Sequence, residues 1–94
     1  MPVDPETGQL VPGGIEAQTE QVMQNIKAIM EDAGSSMARV VKMMVYLQDL
    51  EHFDEVNAIY ARYFPEPQPV RTTVGVNLRA DRLVEMDAIA LTGQ

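Results

Sequence analysis

The sequence predicts an α+β fold in which two helices pack on one face of a small β-sheet. Three observations lead to this prediction. Two segments have apolar residues at helical spacing, one short run is rich in β-branched and large apolar residues, and two later segments alternate apolar and polar residues. The order along the chain is loop, helix, strand, helix, strand, strand, which is typical of a layer of helices on a sheet.

The first half of the chain predicts a surface loop, a helix and a strand. Residues 2–14 are rich in proline and glycine, and we expect turns there. Apolar residues then recur at steps of three and four over residues 15–33, and Gly34 stands where a helix C-cap is expected. Residues 40–47 combine valines with large apolar side chains, which favours a strand covered on at least one face.

The second half of the chain predicts one more helix and two strands. Aromatic and apolar residues at helical spacing predict a helix over residues 52–64, which ends before the proline-rich connector of residues 65–69. Residues 70–78 and 83–91 both alternate between apolar and polar side chains. Because a short polar turn separates these two strands, we expect them to pair as an antiparallel hairpin.

Composition and charge narrow the possible functions. The 94 residues are 46% hydrophobic and 22% charged, which predicts one globular domain over residues 1–94 and favours oligomerisation in so short a chain. Without a long apolar run or signal-peptide pattern, we expect a cytoplasmic protein that binds no membrane. The lack of cysteine excludes a thiolate nucleophile and a cysteine-based zinc site, and the single His52, interpreted as a helix-start residue, argues against a histidine-rich metal site. A net charge of −7 argues against nucleic acid as a partner.

Arg71 is the first candidate for a binding residue. Alternation places Arg71 on the strand face opposite Val70, Thr72 and Val74, which form the apolar row expected to meet the helices. A guanidinium in that position needs an anionic partner. Two alternatives remain open, a bound ligand carboxylate and a structural carboxylate across an oligomer interface.

Glu85 is the second candidate, and alternation places it on the same side of its strand as Asp87. If Gly75 is opposite Glu85 in the expected hairpin, Arg71 lies roughly 13 Å from Glu85 at ~3.3 Å per residue. A small ligand that touches both residues would then need a site assembled between subunits. The other interpretations of Glu85 are an ion-pair partner of Arg71 and a solvated charge at the sheet edge.

Six segments spread over the chain carry a pattern that is more specific together than any one of them alone. They are Pro69-Val70-Arg71-Thr72-Thr73-Val74-Gly75-Val76, Val84-Glu85-Met86-Asp87-Ala88-Ile89-Ala90, Pro2-Val3-Asp4-Pro5-Glu6-Thr7-Gly8, Gln24-Asn25-Ile26, Ala33-Gly34 and Asp54-Glu55-Val56-Asn57-Ala58-Ile59-Tyr60. In their joint order and spacing, the sequence resembles the RidA/YjgF family of reactive-intermediate deaminases over essentially its whole length.

The resemblance implies a chorismate-mutase-like fold, with two helices on one face of a small mixed sheet, that assembles as a homotrimer with a pocket at each subunit interface. It also implies a cofactor-free hydrolysis of small 2-imino and 2-enamino acids, such as 2-aminoacrylate, to 2-oxo acids and ammonia. By similarity, Arg71 binds the substrate carboxylate and Glu85 activates water and returns a proton to the leaving nitrogen. Thr73 stands where many relatives carry cysteine and offers a hydroxyl, and Asn57 braces the pocket wall.

Two alternatives to the deaminase interpretation stay open. One is a non-catalytic trimer that binds small carboxylates through Arg71 and acts as a sensor or regulator. The other is a ribonuclease, which fits poorly with the net charge of −7 and the single histidine.

The resemblance also predicts a shortened N-terminus. Relatives ordinarily begin with a further strand hairpin that ends in Ser-Gly-Gln just before the position of Pro2, and its loss would leave one sheet edge unpaired. Residues 91–94, Leu-Thr-Gly-Gln, resemble the end of that strand.

Overall fold

Two helices and three strands follow one another in the predicted order. The computed structural model describes residues 1–92. The elements are α1 (Gly14–Asp32), β1 (Val40–Leu47), α2 (Phe53–Ala61), β2 (Val70–Gly75) and β3 (Val84–Ala90). The predicted α+β class, with two helices packed on a small mixed sheet, is confirmed. The resemblance noted for residues 91–94 lies partly outside the described residues.

The end of α1 is set by Gly34, as predicted. Gly34 has a φ of 82°, in the left-handed region that a side chain disfavours. Its N–H donates to the carbonyl of Glu31, and the N–H of Ser35 donates to the carbonyl of Met30 at 2.7 Å. This pair of bonds is a Schellman motif, which satisfies carbonyls that the helix leaves without partners.

The strand pairing differs from the predicted hairpin. β1 lies in the centre of the sheet, parallel to β2 and antiparallel to β3. The expected antiparallel pairing of residues 70–78 with 83–91 is therefore wrong. α2 and the proline-rich connector return the chain to the end of the sheet where β1 began, so β2 runs parallel to β1. Residues 76–83 then cross over the end of β1, where Leu47 pairs with Gly75 on one side and Val84 on the other.

The core lies between the two helices and one face of the sheet. Alternate residues of the central strand and of β3 point to the helices and are almost fully buried, in agreement with the predicted alternation of β3. The opposite face of the sheet carries Glu85, Asp87 and several exposed apolar side chains. The buried apolar residues are Val22, Met23, Ile26, Met37, Val40, Met43, Val45, Leu47, Val56, Ile59, Tyr60, Phe64, Val84 and Met86. Within residues 1–92, no helix is both long and apolar enough to cross a membrane.

In the crossing segment, residues 76–83, one residue has a backbone conformation that a side chain disfavours. Ala80 has a φ of 57°, in the left-handed region where Cβ crowds the following carbonyl. We expect Ala80→Gly to raise the free energy of unfolding by about 1 kcal/mol, since glycine removes a left-handed cost of ~1–2 kcal/mol but adds unfolded-state entropy. Urea denaturation at fixed protein concentration measures this change.

The matched control for Ala80→Gly is Ala28→Gly. Ala28 is exposed in α1, and glycine there is expected to lower the free energy of unfolding by about 1 kcal/mol. A similar loss of stability in both variants would contradict the assignment of strain to Ala80.

Candidate functional site

Arg71 lies on the helix side of the sheet, between two aromatic rings of α2. The guanidinium carbon Cζ is 4.7 Å from the centroid of the Tyr60 ring and 5.3 Å from that of Phe53. The Nη1 atom of Arg71 donates to Asn57 Oδ1 at 2.5 Å. Residues 53, 57 and 60 are at positions i, i+4 and i+7 of a helix, so one face of α2 supplies all three contacts. We call these three residues the arginine cradle.

The prediction that Arg71 points away from the helices is wrong. Val70, which was expected to face them, is 69% exposed, and Thr72 is exposed as well. The sequence alternation is correct, but the assignment of its two faces is reversed. An arginine tolerates the helix side here because aromatic rings cover its planar group by cation–π contact, and an amide oxygen accepts one of its hydrogen bonds.

The partners of Arg71 in residues 1–92 are neutral. Its guanidinium has no carboxylate oxygen within 4.0 Å in this part of the chain, and Asn57 is an uncharged amide. Burial raises the pKa of the Tyr60 phenol, although the nearby Arg71 acts in the opposite direction. The Tyr60 ring is therefore neutral at physiological pH. The guanidinium of Arg71 uses one N–H donor on Asn57, which leaves further donors for an anion.

Thr73 follows Arg71 on the same side of β2. It is half-buried and pairs across the sheet with Val45, which is 1% exposed. The two residues of β2 predicted to line the site, Arg71 and Thr73, are thus brought to one side of one strand, and Asn57 joins them from α2. Their roles in binding stay predictions.

Glu85 lies on the other face of the sheet, as the alternation of β3 predicted. It pairs across the sheet with Tyr46, whose hydroxyl donates to Asp87 Oδ2 at 2.9 Å. Its Oε1 atom is 3.7 Å from Arg82 Nη1, and its side chain is 31% exposed. Within residues 1–92 the ion-pair partner of Glu85 is therefore Arg82 and not Arg71.

Arg71 and Glu85 do not converge within one chain. The assumed register of Gly75 opposite Glu85 is wrong, because Gly75 pairs with Leu47. Arg71 pairs with Met43 and Glu85 with Tyr46, so their Cα atoms are about 14 Å apart at ~3.3 Å per residue and ~4.8 Å per strand. The two side chains also point to opposite faces. A single chain cannot hold one amino-acid-sized ligand against both groups.

Sequence reasoning missed Phe53 and Tyr60 as contacts of Arg71. Both contributed only to the helical spacing that predicted the second helix, and Tyr60 is 2% exposed. The signal that could have identified them is their spacing with Asn57, since positions i, i+4 and i+7 share a helix face. Among the described residues, no group of three or more histidine, aspartate or glutamate side chains could hold a metal ion.

Comparisons with known proteins agree on one family. The family model described as Endoribonuclease L-PSP matches residues 1–92. A RutC family protein from Pyrococcus abyssi is 52% identical over 91 residues, which cover 96% of this chain and 72% of that protein. Reactive Intermediate Deaminase A, chloroplastic, from Arabidopsis thaliana is 44% identical over 87 residues, 92% of this chain and 46% of that protein. The crystal structure of the YjgF gene product from E. coli superposes with a TM-score of 0.87 at 41% identity, covering 96% of this chain and 73% of that chain.

Proposed function

Because the chain belongs to the RidA/YjgF family, we propose that its RidA-type role is the hydrolysis of small 2-imino and 2-enamino acids to 2-oxo acids and ammonia. The observation that carries the proposal is the arginine cradle. It holds a charged guanidinium between neutral groups, with no carboxylate within 4.0 Å in residues 1–92. A small anion with a carboxylate fits such a site, because a guanidinium binds that group through two parallel hydrogen bonds.

The chemistry assigns separate tasks to Arg71 and Glu85. Arg71 fixes the carboxylate of the imino acid, and the Glu85 carboxylate accepts a proton from water while the water oxygen bonds to the imine carbon. Glu85 returns that proton to the nitrogen of the resulting carbinolamine. The carbon–nitrogen bond then breaks as the hydroxyl proton passes to the leaving nitrogen, which gives the carbonyl of the 2-oxo acid and releases ammonia. A 2-enamino acid first takes up a proton on carbon to become the imino acid.

The proposed site lies between subunits of a homotrimer. The separation of about 14 Å between the Cα atoms of Arg71 and Glu85 supports this assembly, because only groups from adjoining protomers could then approach one substrate. Val70 and Ile89, on the outer face of the sheet, are 69% and 60% exposed and are suited to cover by a partner. Sedimentation equilibrium tests the trimer, and a monomer at micromolar concentration would contradict it.

The reaction is tested with 2-aminoacrylate generated in situ. Oxo-acid release is followed with the protein, without it, and with Arg71→Ala. The expected result is a faster release that depends on protein concentration and is lost in the variant. Release at the same rate with and without the protein would overturn the proposed activity.

A non-catalytic carboxylate-binding trimer is the second candidate function. The position of Glu85 favours it, since this carboxylate is close to Arg82 and its side chain is 31% exposed, whereas an acid–base group works best where water is excluded. Pyruvate binding measured by calorimetry separates the two functions. Binding that needs Arg71, without any turnover of 2-aminoacrylate, would support the second candidate.

RNA cleavage is a weaker alternative, although the description of the matching family model includes the word endoribonuclease. The net charge of −7 opposes the binding of a phosphate backbone. RNA binding that weakens steeply with salt would revive this alternative.

Substitutions of Asn57 test whether the arginine cradle serves binding. We expect Asn57→Ala to raise KM about 10- to 100-fold, since a hydrogen bond to a charged group contributes ~1.5–3 kcal/mol. Asn57→Asp is the sharper variant, because a carboxylate next to Arg71 would compete with the substrate carboxylate and raise KM further. Steady-state kinetics measure both effects. A KM for Asn57→Asp below that of Asn57→Ala would contradict the binding role of the cradle.

A further inference from the structure

A buried glutamine joins α1 to the segment that leads into β3. Gln18 is 4% exposed. Its Nε2 donates to the carbonyl of Asp81 at 3.1 Å, and its Oε1 accepts from the N–H of Leu83 at 2.7 Å. Both ends of the amide are thus bonded to backbone groups just before β3 begins. A buried amide with both ends satisfied holds its partners in one geometry, because breaking either bond leaves a buried polar group without a partner.

Gln48, at the end of β1, holds the same segment from the other side. The side-chain Oε1 of Gln48 accepts from the backbone N–H of Leu78 at 2.5 Å, and the backbone N–H of Gln48 donates to the carbonyl of Leu83 at 3.0 Å. Ala80, with its φ of 57°, lies between these attachments. A strained conformation persists only where the surroundings impose it, so the two glutamines determine the path of the crossing segment.

The crossing segment sets the position of the proposed acid–base group. Leu83 precedes Glu85 by two residues, and Arg82, 3.7 Å from the Glu85 carboxylate, belongs to the same segment. We infer that Gln18 is a positioning residue for Glu85, which fixes the start of β3 and with it the direction of the Glu85 carboxylate and the place of Arg82. This inference rests on the proposed function, in which Glu85 transfers protons.

The test uses Gln18→Met, which keeps the length of the side chain but removes both hydrogen bonds. We expect kcat for 2-aminoacrylate to fall on the order of 10- to 100-fold, since a displacement near 1 Å has effects of this size. KM is expected to stay within about twofold, because Arg71 lies on β2 and the arginine cradle on α2, so the contacts of Arg71 with the substrate carboxylate do not depend on the start of β3. Gln24→Met, an exposed position of the same helix, is the control and should leave both constants unchanged.

Hydrogen exchange at the Leu83 amide gives a readout that does not depend on turnover. Exchange there should accelerate in Gln18→Met and not in Gln24→Met. Faster exchange together with an unchanged kcat would overturn the positioning role and leave the proposed function intact. A wild-type chain without any turnover would overturn the proposed function and this inference with it.

Gln48→Met provides a second variant in case Gln18→Met does not fold. Gln48 is exposed, and the substitution removes only the bond to the Leu78 amide. A smaller fall in kcat, about three- to tenfold with KM unchanged, is expected from the milder displacement. A wild-type kcat in this variant would show that the path of the crossing segment does not affect Glu85, and it would overturn the inference in that case.

Discussion

Arg71→Ala is expected to lower kcat/KM for 2-aminoacrylate by about 100- to 1000-fold, mainly through a higher KM, because removing one partner of a buried charge pair costs ~2–5 kcal/mol. The substrate carboxylate would lose two charge-assisted hydrogen bonds. No other cation could replace them from the arginine cradle, where Phe53, Asn57 and Tyr60 are uncharged. Kinetics over a wide substrate range would separate KM from kcat.

Two further variants test whether the loss of activity is specific to the guanidinium of Arg71. Arg71→Lys keeps the charge but loses the planar group that lies between the two rings, so kcat/KM should fall about tenfold, less than in the alanine variant. Arg62→Ala, an exposed position just after α2, serves as the control and should behave like wild type. Equal activity of Arg71→Ala and Arg62→Ala, with both folded by circular dichroism, would remove Arg71 from the site.

Local patterns were sufficient to predict the five elements and their order. The helical spacing before Gly34 and the left-handed conformation that glycine allows define the end of α1. Each element depends mainly on residues close in sequence, so periodicity finds it. Periodicity does not define where an element ends, and α2 stops at Ala61, three residues before the predicted end of that helix.

The pairing of the strands could not be predicted in this way. The short polar turn before β3 favours a hairpin of β2 and β3. Burial favours a different pairing, in which the most apolar strand lies in the centre of the sheet. β1 contributes Met43, Val45 and Leu47, each at most 1% exposed, and therefore takes the middle position. Residues 76–83 are long enough to cross the end of one strand, since eight residues span up to about 26 Å. Pairing depends on such long-range burial, which alternation does not encode.

The sequence predicted part of the arrangement of the candidate residues and mistook the rest. Arg71, Thr73 and Asn57 do lie together, while Glu85 lies on the opposite face. The error came from treating a charged side chain as incompatible with the helix side. Aromatic rings at helical spacing change that expectation, because they offer a cation a favourable surface without competing for its hydrogen bonds. The inter-subunit site remains a prediction, now supported by the separation across β1 instead of a hairpin register.

Glu85→Gln is expected to lower kcat by about 10²- to 10⁴-fold with little change in KM, since general acid–base catalysis contributes a factor of that size. Glutamine keeps the shape of the side chain but neither accepts a proton from water nor returns it to nitrogen. Asp87→Asn is the control, because Asp87 lies two residues further on the same face and accepts a hydrogen bond from Tyr46. A normal kcat in Glu85→Gln would leave that residue as an ion-pair partner of Arg82 alone.

Mixing Arg71→Ala with Glu85→Gln tests whether each site combines residues of two protomers. If each site combines Arg71 of one protomer with Glu85 of its neighbour, random trimers of Arg71→Ala and Glu85→Gln should regain about a quarter of the wild-type sites, because each residue is intact with a probability of about one half. A site within one chain would regain none, since every protomer carries one lesion. Activity measured after joint unfolding and refolding, compared with each variant refolded alone, decides between the two. The separation of about 14 Å across β1 favours recovery, because only neighbouring protomers could then bring the two groups to one substrate.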